Sequence, residues 1–215
     1  MKDKLQCGFS LLEMMVTLII ITIVIAVVMQ AVVTMEARNT VESGKVDLTQ
    51  QSREFMDQIV SDIHQSGFPS IRTADPTTLG LGPGCASYST IACGLISVAP
   101  SALQFEGDVD GSGVSEVYIQ EVPAGGPCPC TIQRGTLPKS QYIANPAAQP
   151  PYYTEVTNVM NTAIFTAYDS SGTANPVSGN IAAIQITLYV RALQPDPKTN
   201  QYPTVTMVSG AKITN

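Results

Sequence analysis

Glu13 is the residue whose type and position predict the most specific chemistry in this sequence. It is followed by an uncharged run, residues 14–35, made mostly of Val, Ile, Leu, Met and Ala. A carboxylate at the edge of such a run is costly, by about 3 kcal/mol if it reaches the centre of a bilayer. A helix that served only as an anchor would have Leu or Ala at this position. Glu13 therefore indicates a positively charged partner inside an apolar environment.

The uncharged run is long enough to cross a membrane as a helix. At about 1.5 Å per residue it spans roughly 33 Å, against a hydrocarbon core of about 30 Å. Lys2 and Lys4 outnumber Asp3 in front of it, and the positive-inside rule places that end of the chain in the cytoplasm. Gly8 has no side chain, so a protease can approach the backbone closely just before the run.

Four interpretations of residues 1–35 compete. A secretory signal peptide has an apolar stretch of about 7–15 residues and then an Ala-x-Ala-like site, but this stretch is longer and no such site follows it. A lipoprotein signal would place its Cys after the apolar stretch, whereas Cys7 precedes it. An ordinary single-pass anchor fits the run but gives Glu13 no role. We favour a short leader that is cut before the run, because the apolar helix then stays in the mature chain.

Residues 8–13, with the sequence GFSLLE, resemble the type IV prepilin motif. In that motif the leader ends in Gly, Phe usually follows, and Glu is the fifth residue of the mature chain. The resemblance implies that an inner-membrane prepilin peptidase cuts between Gly8 and Phe9 and then methylates the new amine of Phe9. It also implies that Glu13 of one subunit pairs with the Phe9 amine of a neighbour, which would set the axial register of a filament. The alternative is a Glu13 that reaches the membrane interface and pairs with nothing.

The helix is expected to continue beyond the membrane. From Leu48 the apolar residues recur at spacings typical of one face of an amphipathic helix, and Gly67 and Pro69 give a stop signal. We therefore predict one helix from about residue 10 to 66, with Gly44 as a point that could bend or fray it. The predicted organisation is a leader (1–8), a transmembrane and filament-core helix (9–35), an amphipathic helix half (36–66) and a globular β domain (67–215).

The part that follows the helix predicts an antiparallel β domain with long loops. Strand patterns occupy residues 102–106, 114–122, 131–134, 156–168, 181–193 and 204–213, with loops at 67–101 and 123–151. The clearest is 181–193, where apolar and polar residues alternate as in a half-buried strand. A helix followed by antiparallel strands indicates an α+β fold of pilin-like architecture.

The layout of this β domain resembles that of the larger minor pilins and pseudopilins of the PilW and GspJ kind. The resemblance depends on the segments LQF (103–105), DVDGSG (108–113) and VYI (117–119), on Arg134, and on the late alternating strand.

Four cysteines follow the predicted leader: Cys85, Cys93, Cys128 and Cys130. An even number in an exported domain indicates disulfides, and three pairings are possible. Cys85–Cys93 would close a short loop. Cys128–Cys130 would close a small ring, so cross-pairing between the two regions stays open. A zinc site made of the four cysteines is the less favoured alternative.

A polar loop offers oxygen ligands at alternate positions, as calcium sites do. The candidate calcium residues are Asp108, Asp110, Ser112 and Glu116. Gly113 occupies the sixth position, which allows a sharp turn, but Ile119 stands where a bidentate Glu is required. We favour a hairpin turn, because Asp and Gly are the residues that tight turns select.

The composition excludes several classes of function. The formal net charge of −6 argues against a nucleic-acid partner. His64 is the single histidine; its place near the helix end suits the helix dipole, and without a second His no multi-His site can form. No Gly-rich phosphate loop follows a strand. We expect neither a cofactor nor enzymatic activity.

The sequence thus predicts a structural subunit, a minor pilin of a type IV pilus or a related filament. Its expected partners are the prepilin peptidase, other pilin or pseudopilin subunits, the inner membrane and the inner-membrane assembly platform. Before assembly it would be a single-pass inner-membrane protein with a periplasmic C-terminal domain, and afterwards part of a pilus or periplasmic filament. The alternatives are a pseudopilin of a type II secretion system and a membrane-anchored binding domain that never polymerises.

Overall fold

One long helix, α1 (Leu11–Gln65), forms the N-terminal part of the chain. The structure is a computed structural model that describes residues 10–70, 85–176 and 180–213; the predicted leader and the cleavage site at Gly8 and Phe9 lie outside the described residues. The helix continues without interruption through Gly44. It ends where predicted: Gly67 has φ of 83°, a conformation that L side chains rarely adopt, and its N–H donates to the carbonyl of Glu106.

The two halves of α1 have different surroundings. The large apolar side chains of the first half are exposed on every face, from 43 % at Val32 to 78 % at Leu11. From Val41 onward one face of the helix is buried, as the apolar periodicity predicted. The core residues of that face are Leu48, Phe55, Met56, Ile59 and Ile63.

The C-terminal part is a single antiparallel sheet of eight strands. The strands are β1 (Leu95–Ala99), β2 (Ala102–Gly107), β3 (Ser115–Val122), β4 (Cys130–Pro138), β5 (Tyr152–Val159), β6 (Phe165–Tyr168), β7 (Ala183–Arg191) and β8 (Thr204–Lys212). The first five strands follow the order β1-β2-β3-β4-β5. Strands β5 and β6 pair with different parts of one edge of β7, and β8 pairs with the opposite edge of β7. A 3-10 turn at Cys85–Ser87 and a short helix, α2 (Lys139–Ala144), complete the described elements.

The alternation of β7 fixes which face of the sheet meets the helix. Ile184, Ile186, Leu188 and Val190 are fully buried, and the residues between them face the other side. Helix α1 lies against β8, β7, β5 and β2. The α+β architecture and the alternating strand are thus confirmed.

Several predictions for the β domain need correction. Strand β1 lies in the region predicted as a loop. Its residues do not alternate between buried and exposed, and its register with β2 is irregular, so the sequence pattern does not predict it. Strand β4 extends well beyond 131–134, since it is paired on both edges, with β3 and β5. Helix α2 also lies in a predicted loop; it is too short for a periodic pattern.

The pattern predicted as one strand over 156–168 is two strands, β5 and β6, which follow each other along the same edge of β7. The side chain of Asn161 holds the break between them. Its amide donates to the carbonyls of Ala163 and Thr187, and its oxygen accepts from the N–H of Tyr189. At the break, the N–H groups of Ile164 and Phe165 donate to the carbonyl of Pro100, so the sheet curls until β6 lies near β1.

Truncating the centre of the helix–sheet core will destabilise the fold. Ile59 is 1 % exposed on the buried face of α1, and we expect Ile59→Ala to lower the free energy of unfolding by about 2–5 kcal/mol. Denaturant unfolding of the full chain in detergent micelles, followed by circular dichroism and tyrosine fluorescence, measures the change. The matched control is Val46→Ala on the exposed side of the same helix (60 % exposed), expected within about 0.5 kcal/mol of wild type. Equal losses in the two variants would contradict the packing.

Candidate functional site

Glu13 lies in the first turn of α1, among exposed apolar side chains. Its N–H donates to the carbonyl of Ser10 at 3.0 Å, and a carboxylate in the first turn is favoured by the positive end of the helix dipole. In the described residues, the ion pairs join other residues and none includes Glu13. The side chain is therefore available to a charged group from outside the described part of the chain.

The helix around Glu13 is built for an apolar environment. An 18-residue window of α1 has a mean hydropathy of 2.9 and none of it is buried within the chain. The hydroxyls of Thr17, Thr22 and Thr34 donate back to the carbonyls of residues 14, 18 and 30. Because the helix satisfies these polar groups internally, they need no water. A helix that is apolar all round requires hydrocarbon or other apolar helices around it.

An ion pair joins the second half of α1 to the sheet. Arg134 on β4 contacts Oδ2 of Asp62 through Nη2 at 2.8 Å and Nε at 3.0 Å, and Gln58 donates to Oδ1 at 2.6 Å. The side chain of Asp62 is 1 % exposed. Burial raises the pKa of this carboxyl, and the charge of Arg134 opposes that shift. The sequence marked Arg134 only through a resemblance and gave no sign of its partner.

The disulfide between Cys85 and Cys93 sits on a buried ion pair that the sequence did not predict. Lys139, the first residue of α2, is fully buried, and its Nζ lies 2.5 Å from Oε2 of Glu106. The same ammonium donates to the carbonyls of Cys85 at 2.8 Å and Ile91 at 2.7 Å. Glu106 in turn accepts from the N–H of Cys93 at 2.7 Å. The pair thus ties the disulfide loop to β2; a Lys in a predicted loop gives no sequence signal for such burial.

The second disulfide joins Cys128 and Cys130, so the structure has two local pairs, and the cross-pairing left open by the sequence does not occur. Cys130 is buried and Cys128 is half-buried. Glu121 lies beside them, and in the described residues these three are the group of metal-ligating side chains whose ligand atoms lie within 4.8 Å of one another. A disulfide supplies no thiolate, so in this state neither these residues nor a four-cysteine cluster fits zinc.

The calcium candidates do not act as one group in the structure. The carboxylates of Asp108 and Asp110 accept from the N–H groups of Gly113 and Ser112, which is the bonding of a polar turn. Glu116 is fully buried on β3, where Tyr118 and Gln104 donate to its Oε2. Burial raises the pKa of Glu116 and that of the Tyr118 hydroxyl. The arrangement supports the hairpin turn that we favoured.

The fold and the exposed helix together define the class of protein. A long N-terminal apolar helix packed on a C-terminal antiparallel sheet is a pilin-like α+β fold.

A known family matches the N-terminal part of the chain. Residues 3–29 match the family described as the prokaryotic N-terminal methylation motif, so the chain carries the N-methylation motif of type IV pilin-like proteins. The motif implies processing by a prepilin peptidase, and with the apolar helix it indicates anchoring in the inner membrane before assembly. No curated protein and no solved structure matches the chain.

Removing Arg134 will make stability depend more strongly on pH. The pKa of Asp62 is raised in the folded chain, so the folded state holds the proton of this carboxyl more tightly than the unfolded state does. The contribution of Asp62 to the free energy of unfolding is therefore present at low pH and lost as pH rises through the raised pKa. Arg134→Gln removes the opposing charge, so the loss extends to higher pH. We expect the free energy of unfolding at neutral pH to fall by about 3 kcal/mol.

Denaturant unfolding at a series of pH values measures this effect. The matched control is the double variant Asp62→Asn/Arg134→Gln, which has no charge at this site and should recover part of the stability without the added pH dependence. If Arg134→Gln alone loses as little stability at neutral pH as at acidic pH, then Asp62 does not carry a buried charge.

Proposed function

We propose that this chain is a minor pilin, a structural subunit of a type IV pilus or a related filament that enters the fibre through α1. The observation that carries the proposal is the position of Glu13. It stands at the start of a helix whose apolar side chains are exposed on every face, within the matched methylation motif.

The first step of the proposal is membrane anchoring. The exposed apolar half of α1 is stable in hydrocarbon and unfavourable in water, because burial of apolar surface contributes roughly 25 cal/mol per Å². The basic residues Lys2 and Lys4 hold the leader in the cytoplasm. The β domain then lies on the periplasmic side, where its two disulfides suit an oxidising compartment.

The second step is cleavage and pairing. The prepilin peptidase cuts between Gly8 and Phe9 and methylates the amine of Phe9. That amine is a cation that the precursor does not have. In the filament it pairs with Glu13 of a neighbouring subunit, where both charges are shielded from water. A buried charge without its partner costs about 3–5 kcal/mol, so subunits dock in the register that satisfies the pair.

The third step is the role of the rest of the chain. Helix α1 carries the sheet on its second half, so the β domain would lie on the outside of a fibre whose core is made of apolar helices. Other pilin or pseudopilin subunits and the inner-membrane assembly platform are the partners that this arrangement requires. The layout of the β domain supports a subunit of the PilW and GspJ kind, and a pseudopilin of a type II secretion system is the alternative within the class.

Neutralising Glu13 will block assembly without blocking cleavage. In a host with the peptidase, we expect Glu13→Gln to be cut and methylated like wild type but to be at least tenfold depleted from sheared filaments, because the Phe9 amine then lacks its partner. Immunoblots of membrane and sheared fractions measure incorporation. Glu36→Gln, an exposed acid farther along the same helix, is the control and should assemble normally. Normal incorporation of Glu13→Gln would overturn the pairing.

Intact-mass analysis tests the processing step separately. We expect the mature chain to begin at Phe9 and to carry one methyl group. We expect Gly8→Leu to retain residues 1–8, because the added side chain keeps the peptidase from the backbone. A wild-type chain that keeps its leader in a host with an active peptidase would support the anchored binding domain instead.

A further inference from the structure

The Cys128–Cys130 disulfide faces a buried carboxylate that has no hydrogen-bond donor at one of its oxygens. Glu121 is 1 % exposed on β3. Its Oε2 accepts from the N–H of Gly125 at 3.2 Å, and its Oε1 lies 3.3 Å from Sγ of Cys128. A disulfide sulfur carries no proton, so this contact has no donor while the disulfide is intact. In the described part of the chain, no N–H or O–H group is found on Oε1 either.

A buried acceptor without a donor costs free energy, more so when it is charged. Reduction removes that cost, because the thiol of Cys128 then donates an S–H hydrogen bond to Oε1 at the distance already present. The carboxylate therefore stabilises the dithiol relative to the disulfide. A disulfide whose reduced form is stabilised in this way is the more readily reduced one.

The other disulfide has the opposite electrostatic neighbour. Nζ of Lys139 lies 3.6 Å from Sγ of Cys93, and an ammonium can donate to a sulfur that is in a disulfide. The same ammonium also holds the carbonyls of the loop. No acceptor is left unsatisfied there by the oxidised form, so Cys85–Cys93 is a structural disulfide.

The fold near Cys130 does not depend on its disulfide. Cys130 pairs with Val159 of β5, and the next residue, Thr131, pairs with Val122 of β3, so the backbone is held on both sides. A cross-link between residues only two apart also removes little entropy from the unfolded chain, because that effect grows with loop length. Opening the disulfide leaves the sheet in place.

We propose that Cys128–Cys130 is a thiol–disulfide exchange site whose substrate is a solvent thiol. An incoming thiolate attacks Sγ of the half-buried Cys128, the S–S bond breaks, and Cys130 leaves as a thiolate that takes up a proton. The product is a mixed disulfide between Cys128 and the first incoming thiol. A second thiolate then attacks the sulfur of that first thiol and releases Cys128. The two incoming thiols leave as one disulfide, so two electrons and two protons pass to the chain. The released Cys128 becomes the S–H donor to Glu121.

Redox titration of the full chain in detergent micelles tests the site. The protein is equilibrated in buffers with set ratios of reduced to oxidised dithiothreitol, acid-quenched and alkylated, and each cysteine pair is quantified by peptide mass spectrometry. We expect Cys128–Cys130 to be half-reduced at a ratio about tenfold lower than Cys85–Cys93 requires. Co-reduction of the two disulfides, or earlier reduction of Cys85–Cys93, would overturn the proposal.

The variant Glu121→Gln isolates the cause. Its amide can donate to the disulfide sulfur, so we expect the Cys128–Cys130 midpoint to move about tenfold toward more reducing buffers. The Cys85–Cys93 midpoint in the same molecules is the internal control and should not move. An unchanged Cys128–Cys130 midpoint in a folded variant would show that the carboxylate has no part in the exchange.

A measurement on the wild type alone keeps the proposal testable if the variant does not fold. Brief treatment with glutathione, followed by alkylation and peptide mapping, should place the mixed disulfide on Cys128. A glutathione adduct on Cys130, or adducts confined to Cys85 and Cys93, would contradict the assigned site.

Discussion

One uninterrupted helix in two different environments is the constraint on which the rest of this structure depends. The first half of α1 exposes apolar side chains all round, and the second half buries one face on the sheet. No proline interrupts it, and the hydroxyls in the apolar half are bonded to its own carbonyls. These hydroxyls therefore keep their hydrogen bonds in hydrocarbon, while the other half of the helix holds the β domain at its end.

The attachment of the helix to the sheet combines apolar packing with one directional contact. The packing of Phe55, Ile59 and Ile63 on the sheet supplies most of the favourable free energy, because it removes apolar surface from water. The Asp62–Arg134 pair adds little net stability, since both groups lose hydration, but it is costly to break. It therefore fixes where along the helix the sheet is attached.

The two disulfides illustrate how the charge beside a sulfur decides what a cross-link can do. Cys93 faces the ammonium of Lys139, which bonds the loop around it, whereas Cys128 faces the carboxylate of Glu121, which gains a donor only when the sulfur is reduced. The first cross-link closes a short loop that the Lys139–Glu106 pair ties to β2. The second joins residues only two positions apart, and Cys130 begins β4, a strand that is paired on both edges.

The sequence by itself determined the features that depend on local pattern. The extent of α1, its stop at Gly67, the alternation of β7 and the methylation motif all follow from residue type and spacing within a short window. The breaks and extensions of the strands did not, because β4 is defined by two partner strands, and the division between β5 and β6 depends on contacts of Asn161 with a distant strand.

Only the tertiary structure decided the polar contacts of the interior. Asp62 meets Arg134 across 72 positions of the chain, and Lys139 meets Glu106 across 33. No local periodicity encodes which buried charges will face each other, since that choice is made by the registers of strands that pair at long range. The two disulfides are local, over eight and two positions, but the sequence left three pairings open, and only the structure excluded the cross-pairings.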